Sequence, residues 1–182
     1  NYTLTMTDSS GCPPLVKNFF ITEPDFALIS NIDSSNVTCF NDCNGTLIPT
    51  SFNGTSPYNY MWTYPNWLIN VNDTINNLCS GNYDLLVTDA NGCINTLSSI
   101  INEPTPVSIQ LLSLNNVSVN GNNDGAIFIL ANGGNGSFSY SWSNGSTNQT
   151  INNLSAGNYT CTITDANGCS VNITISVNQP MQ

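Results

Sequence analysis

Seven cysteines are the residues of this chain best equipped for chemistry, and with no histidine and no closely spaced thiol pairs of the zinc type they point to disulfides made in an oxidising compartment. Zinc ligation is the weaker alternative. The spacing suggests Cys39 with Cys93 and Cys43 with Cys79, the first closing a 55-residue loop. Such a closure is worth ~4 kcal/mol by chain entropy, a large share of what an 80-residue domain needs. Further on, Cys161 and Cys169 fall on neighbouring strands and form a third expected pair, while the partner of Cys12 is expected upstream of Asn1.

Other chemistry is poorly supplied. With no arginine, no histidine and only Lys17, most nucleophile–base and oxyanion arrangements cannot be assembled, so no enzyme is expected. Paired carboxylates could still hydrolyse glycosides, but the recurring Asp residues stand in turns, where a structural role suffices. Asn120, Asn122 and Asp124 have the odd spacing of a calcium loop, yet Ala131 stands where a bidentate Glu is required, and an Asn-Gly-rich turn is the simpler account. No cofactor is expected beyond that calcium candidate. Tyr64 and Trp67, in an insertion between Trp62 and Tyr83, are candidates for stacking on a sugar ring, with packing over the end of the domain as the alternative.

The elements that hold these residues recur. Tyr, five residues, Asp, two residues, Gly-Cys, an alternating apolar run and a proline occur three times: Tyr2, Asp8, Gly11, Cys12, Pro24; Tyr83, Asp89, Gly92, Cys93, Pro104; and Tyr159, Asp165, Gly168, Cys169, Pro180. A period near 80 residues is too long for a solenoid turn and suits a string of small domains. Complete units are expected over 25–104 and 105–182, the latter including the start of a linker. Residues 1–24 read as the closing strand pair of a unit whose front half lies elsewhere, since two strands cannot bury a core. The sequence thus reads as an interior window on a longer polypeptide.

Strand signals dominate. Tyr83, Leu85 and Val87 alternate with Asp84, Leu86 and Thr88, and Tyr159, Cys161 and Ile163 repeat the pattern, so one face of each strand is buried. Asp-Ala-Asn-Gly at 89–92 and 165–168 predicts a turn in which Asp accepts backbone N–H groups and Asn-Gly tolerates positive φ. Leu78-x-x-Gly81-x-Tyr83 and Leu154-x-x-Gly157-x-Tyr159, following Trp62 and Trp142, look like the tyrosine corner of immunoglobulin-like sandwiches. The expected fold is all-β: tandem antiparallel immunoglobulin-like sandwiches, joined by linkers short enough to make a rod.

Net charge of −10 argues against nucleic acid, and no apolar run approaches the ~20 residues of a membrane helix. Regular alternation with 40% hydrophobic residues argues against disorder despite the abundance of Asn.

Cys39-Phe-Asn-Asp-Cys-Asn-Gly45, Tyr60-Met-Trp62, Asn77-Leu-Cys-Ser-Gly-Asn-Tyr83 and Val87-Thr-Asp-Ala-Asn-Gly-Cys93, ending in Asn-Glu-Pro104, resemble the SprB-type repeat of very large surface adhesins of gliding Bacteroidota. Unit three departs from the pattern, with Val119 and Asn123 in place of the first cysteine pair. The resemblance implies export by the type IX system, exposure on the outer surface and movement by the gliding machinery. Asp73-Thr74-Ile75 then fits that group's O-glycosylation pattern, with Thr74 as acceptor. The function expected is a stiff stalk for adhesion and gliding, whose partners are neighbouring repeats, the export and gliding machinery, and surface glycans. A carbohydrate-binding module using Trp67, or a static filament or sheath subunit, are the alternatives.

Overall fold

β-branched and aromatic residues at every second position give the chain its strands, and the computed structural model describes residues 1–21, 27–63, 69–70 and 73–181 as β-structure with connecting turns. Strands β1 (Tyr2–Met6) and β2 (Leu15–Phe19) pair antiparallel. The next sandwich contains β3 (Ile29–Ser35), β4 (Gly45–Phe52), β5 (Asn59–Thr63), β6 (Ile69–Asn70), β7 (Ile75–Leu78), β8 (Gly81–Thr88) and β9 (Ile94–Ile101). The last contains β10 (Ser108–Asn115), β11 (Gly125–Asn132), β12 (Ser139–Trp142), β13 (Thr150–Leu154), β14 (Gly157–Thr164) and β15 (Ser170–Val177).

In both sandwiches the chain changes sheets in the same order. One sheet is β3-β4-β7 and its counterpart β10-β11-β13; the facing sheet is β6-β5-β8-β9 and its counterpart β12-β14-β15. First, second and returning strands on one side, with the third and the closing pair on the other, is the arrangement of immunoglobulin sandwiches. The alternation makes two separate cores. Leu47, Trp62, Ile75, Leu85 and Val87 centre the first, and Ile127, Ile129, Trp142, Ile151, Cys161 and Ile163 the second.

The tyrosine corner forms as the sequence predicts: the Tyr83 hydroxyl donates to the Cys79 carbonyl at 2.8 Å and the Tyr159 hydroxyl to the Ser155 carbonyl at 3.0 Å. Trp142 sits beside Cys161 across the β12–β14 pair, and its indole N–H donates to the Asn148 carbonyl at 2.9 Å. Two glycines play a packing role that the sequence did not disclose. At Gly45 and Gly125, beside matching register shifts, an added Cβ would lie 2.9 Å from Ile101 Cγ2 and 2.8 Å from Val177 Cγ1. The first and last strands of each sandwich close together over those positions.

On β1 and β2 the same pattern is laid bare. Tyr2, Leu4 and Met6 occupy the positions that Tyr83, Leu85 and Val87 bury, yet they are exposed, and no second layer covers them among the described residues.

Candidate functional site at the joint between sandwiches

Each sandwich has an entry end and an exit end, and the cysteines sort between them. The turn at 89–93 lies at the entry end, because Thr88 pairs with Ile94 where β8 leaves and β9 begins. The β3–β4 loop carrying Cys39 and Cys43 lies at the exit end, where Gly81 pairs with Ile101 and the Asn41 N–H donates to Glu103 Oε2 at 3.0 Å. Glu103, which precedes the linker proline, is therefore spent on holding this loop. In the last sandwich Gln179 Oε1 does the same for the Gly121 N–H at 3.1 Å.

The turn at the entry end is built around a carboxylate. Asp89 Oδ1 accepts the N–H groups of Asn91 (2.9 Å) and Cys93 (2.8 Å), and Oδ2 accepts that of Thr55 (2.9 Å). Asp165 repeats the set with Asn167 (2.9 Å), Cys169 (2.9 Å) and Asn135 (2.8 Å). Asp8 holds Ser10 and Cys12 likewise. The sequence located the local acceptor role, but not the third donor, which comes from a loop 34 or 30 residues away. Positive φ at Gly11, Gly92 and Gly168, between 83° and 88°, explains the glycine before each cysteine.

These hydrogen bonds hold the carboxyl groups below the ordinary carboxylate range, led by the Thr55 N–H for Asp89 and the Asn135 N–H for Asp165, against burial, which acts in the opposite direction. Asp89 and Asp165 are only 4% and 6% exposed. A depressed folded pKa stabilises the fold above the unfolded value, and that stability is lost as pH falls through the folded one. Melting temperature should therefore hold steady from neutrality down to about pH 5 and drop below about pH 4. Asp89→Asn with Asp165→Asn should melt lower at neutral pH and lose less on acidification. Equal acid losses in wild type and variant, followed by circular dichroism, would exclude the two turns as the origin.

Cys43 and Cys79 are joined, tying the exit loop to the turn of the tyrosine corner. Cys39 is joined not to Cys93 but to Cys169, in the following sandwich, with Cα atoms 5.6 Å apart. The expected Cys39–Cys93 pair is corrected by the length of β9: eight residues, roughly 26 Å, separate the entry turn from the exit loop. The expected Cys161–Cys169 pair is corrected as well. Cys161 pairs across the sheet with Ile173, four residues or roughly 13 Å along the strand from Cys169. It is 0% exposed in the second core, and burial pushes its thiol pKa up. Cys12, Cys93 and Cys161 are free thiols.

The joint contains more than the sulfur bridge. Asn167 Nδ2 donates to the Thr38 carbonyl at 3.4 Å, and the Gly134 N–H takes the linker carbonyl of Thr105 at 2.9 Å. Between them lies an open groove of about 400 Å³, bounded by Phe40, Pro104, Pro106, Val107 and Val171 beside the disulfide. Glu103 and Pro104 also line a smaller recess nearby.

The remaining candidate residues are not brought to this joint. Asp124 gives both carboxylate oxygens to Ser118, and Asn120 Nδ2 donates to the Pro180 carbonyl at 3.1 Å; Asn122 is exposed in the same loop. Asn44 stands where Asp124 does and caps Thr38 in the same manner, so the calcium-like spacing coincides with a loop cap common to both sandwiches. No group of three or more His, Cys, Asp or Glu side chains suited to a metal occurs among the described residues. Thr74 is half-buried just ahead of β7, its N–H on Asp73 Oδ1 at 2.7 Å. Tyr64 and Trp67 lie outside the described residues.

Residues 112–147 match the family model of the SprB repeat. The resemblance noted in the sequence is thus borne out over a stretch of the last sandwich, the one that lacks the first cysteine pair. No curated protein matches the chain in sequence. Among solved structures the chain is similar to the N-terminal eight Ig domains of Down Syndrome Cell Adhesion Molecule isoform 1.30.30, at 14% identity and a TM-score of 0.43, over 85% of this chain and 25% of that one. It is also similar to extracellular domains 3–5 of Drosophila OTK, at 16% identity and a TM-score of 0.40, over 94% and 68%. Murine CEACAM1b aligns at 14% identity and a TM-score of 0.33, over 84% and 100%. The chain spans a quarter of the first of these. The immunoglobulin-like character of the fold rests on its own strand order and tyrosine corners, not on these distant alignments.

Proposed function

We propose that this chain, which carries an SprB repeat, is a repeat segment of a large exported cell-surface adhesin and serves as a stiff, load-bearing stalk that holds a distal binding element away from the cell. The observation that carries the reading is the covalent joint between successive sandwiches through Cys39 and Cys169. A binding module acts through a single presented surface and gains nothing from welding its neighbour to itself; a stalk does, because angular freedom at a joint converts pulling into slack.

Disulfides support an oxidising, extracellular setting, and a net charge of −10 with 7% charged residues suits a surface wetted by Asn, Ser and Thr. No described helix is long and apolar enough to cross a membrane. By the SprB resemblance, the segment is exported by the type IX system, displayed outside the outer membrane and moved by the gliding machinery, with neighbouring repeats as its direct partners. No catalytic step and no resident metal enter this role.

The test is an antibody to residues 25–180 coupled to beads and followed on living cells of the source organism. Beads carried along the surface are the expected result. Bound but stationary beads would leave a passive stalk or sheath, and no binding to intact cells would remove surface display altogether.

A further inference from the structure

Cys12, Cys93 and Cys169 each close the same turn, and only Cys169 is bonded. The match between Cys93 and Cys169 extends to the backbone. Asp89 N–H donates to the Cys93 carbonyl at 2.9 Å and Asp165 N–H to the Cys169 carbonyl at 3.0 Å, while the cysteine N–H groups return to the carboxylates at 2.8 and 2.9 Å. The turns at Cys93 and Cys169 therefore place their cysteines in the same way, at the entry end of each sandwich, and both residues are half-buried rather than enclosed.

Within the chain, Cys93 has no available mate. Cys39 lies at the opposite end of the same sandwich and is bonded forward; Cys43 and Cys79 are bonded to each other; Cys161 is sealed in another core. Cys12 belongs to an entry turn of its own, so it presents the same half of the joint as Cys93 does. A forward-reaching exit loop is what such a turn takes, as Cys39 shows at Cys169.

We infer that Cys93 is the receiving half of a second inter-repeat disulfide, whose other sulfur is a cysteine placed like Cys39 in the exit loop of the repeat docked on its entry end. The ligand is thus a protein thiol carried on a loop of the Cys-x-x-x-Cys type. Bond formation joins Cys93 Sγ to the incoming Sγ with loss of two protons and two electrons. A disulfide oxidant, protein or small molecule, accepts them through a mixed disulfide and leaves as two thiols.

The experiment uses the natural full-length polypeptide, alkylated before reduction, digested without reductant and mapped by mass spectrometry. The peptide containing Cys93 should be unalkylated and joined to a cysteine peptide from outside residues 1–182, in the same digest that yields the Cys39–Cys169 pair. Alkylated Cys93 overturns the inference, as does Cys93 joined to Cys39, to Cys12 or to any other cysteine of residues 1–182. Recovery of Cys39–Cys169 together with alkylated Cys93 would leave the joint intact and remove only its generalisation. The bead experiment is indifferent to both outcomes, so the two readings fail separately.

Discussion

A chain pulled by its two ends should come out far longer when the Cys39–Cys169 bond is absent than when it is present. Tension entering at the first sandwich passes along β3 to Cys39, crosses the bridge and leaves along β15, so the 130 residues between the two sulfurs carry no load. At ~3.5 Å per extended residue that is roughly 450 Å of hidden length. The double variant Cys39→Ser, Cys169→Ser still has the 36-residue span between Cys43 and Cys79 closed, leaving 94 of the 130 residues extensible, or roughly 330 Å. Full reduction of the wild type should release the larger figure. Single-molecule extension in an optical trap reads all three states directly. Wild type and double variant of equal length would mean that the two sandwiches are not joined through these sulfurs.

The second large effect belongs to the tryptophan at the centre of each core. Trp62 and Trp142 are buried on equivalent strands, and Trp142 lies directly across from Cys161 with its indole N–H satisfied by Asn148. Replacing either with Ala should cost about 3–5 kcal/mol, because the surrounding β-sandwich cannot collapse onto so large a void. For a domain of this size that is a quarter or more of a typical total of roughly 4–12 kcal/mol. Since the two cores share no residue, Trp142→Ala should unfold the last sandwich at lower urea while the preceding one keeps its own transition. Amide exchange resolved by residue separates the two; uniform loss of protection across both would show that they unfold as one cooperative body.

How much of this could be read from residues alone follows from how local each feature is. Alternation, the local hydrogen bonds of the Asp-Ala-Asn-Gly turns and the tyrosine corners depend on neighbours within about eight residues, so they stand in the sequence as they stand in the fold. The disulfide partners depend on which end of a sandwich each cysteine occupies, and that requires knowing the register of β8 against β9. One clue was available. Unit three replaces Cys39 and Cys43 with Val119 and Asn123 but keeps Cys169, which makes no sense for a bond within a repeat and does for a bond to the repeat before it. The inward face of Tyr159, Cys161 and Ile163 likewise placed Cys161 among core residues, where it could not meet a thiol at a turn. The packing glycines Gly45 and Gly125 were hidden because each meets a strand more than 50 residues away.

The joint also sets an order in time. Cys43 can find Cys79 as soon as 36 further residues have emerged, whereas Cys39 must remain reduced until its partner arrives 130 residues later. Once Cys43 and Cys79 have paired, the next free thiol downstream of Cys39 is Cys93, and the folding of the sandwich carries it to the far end. Closure of the first core thus acts as a chaperone for the sulfur chemistry, keeping Cys39 available until the next repeat has folded far enough to present Cys169.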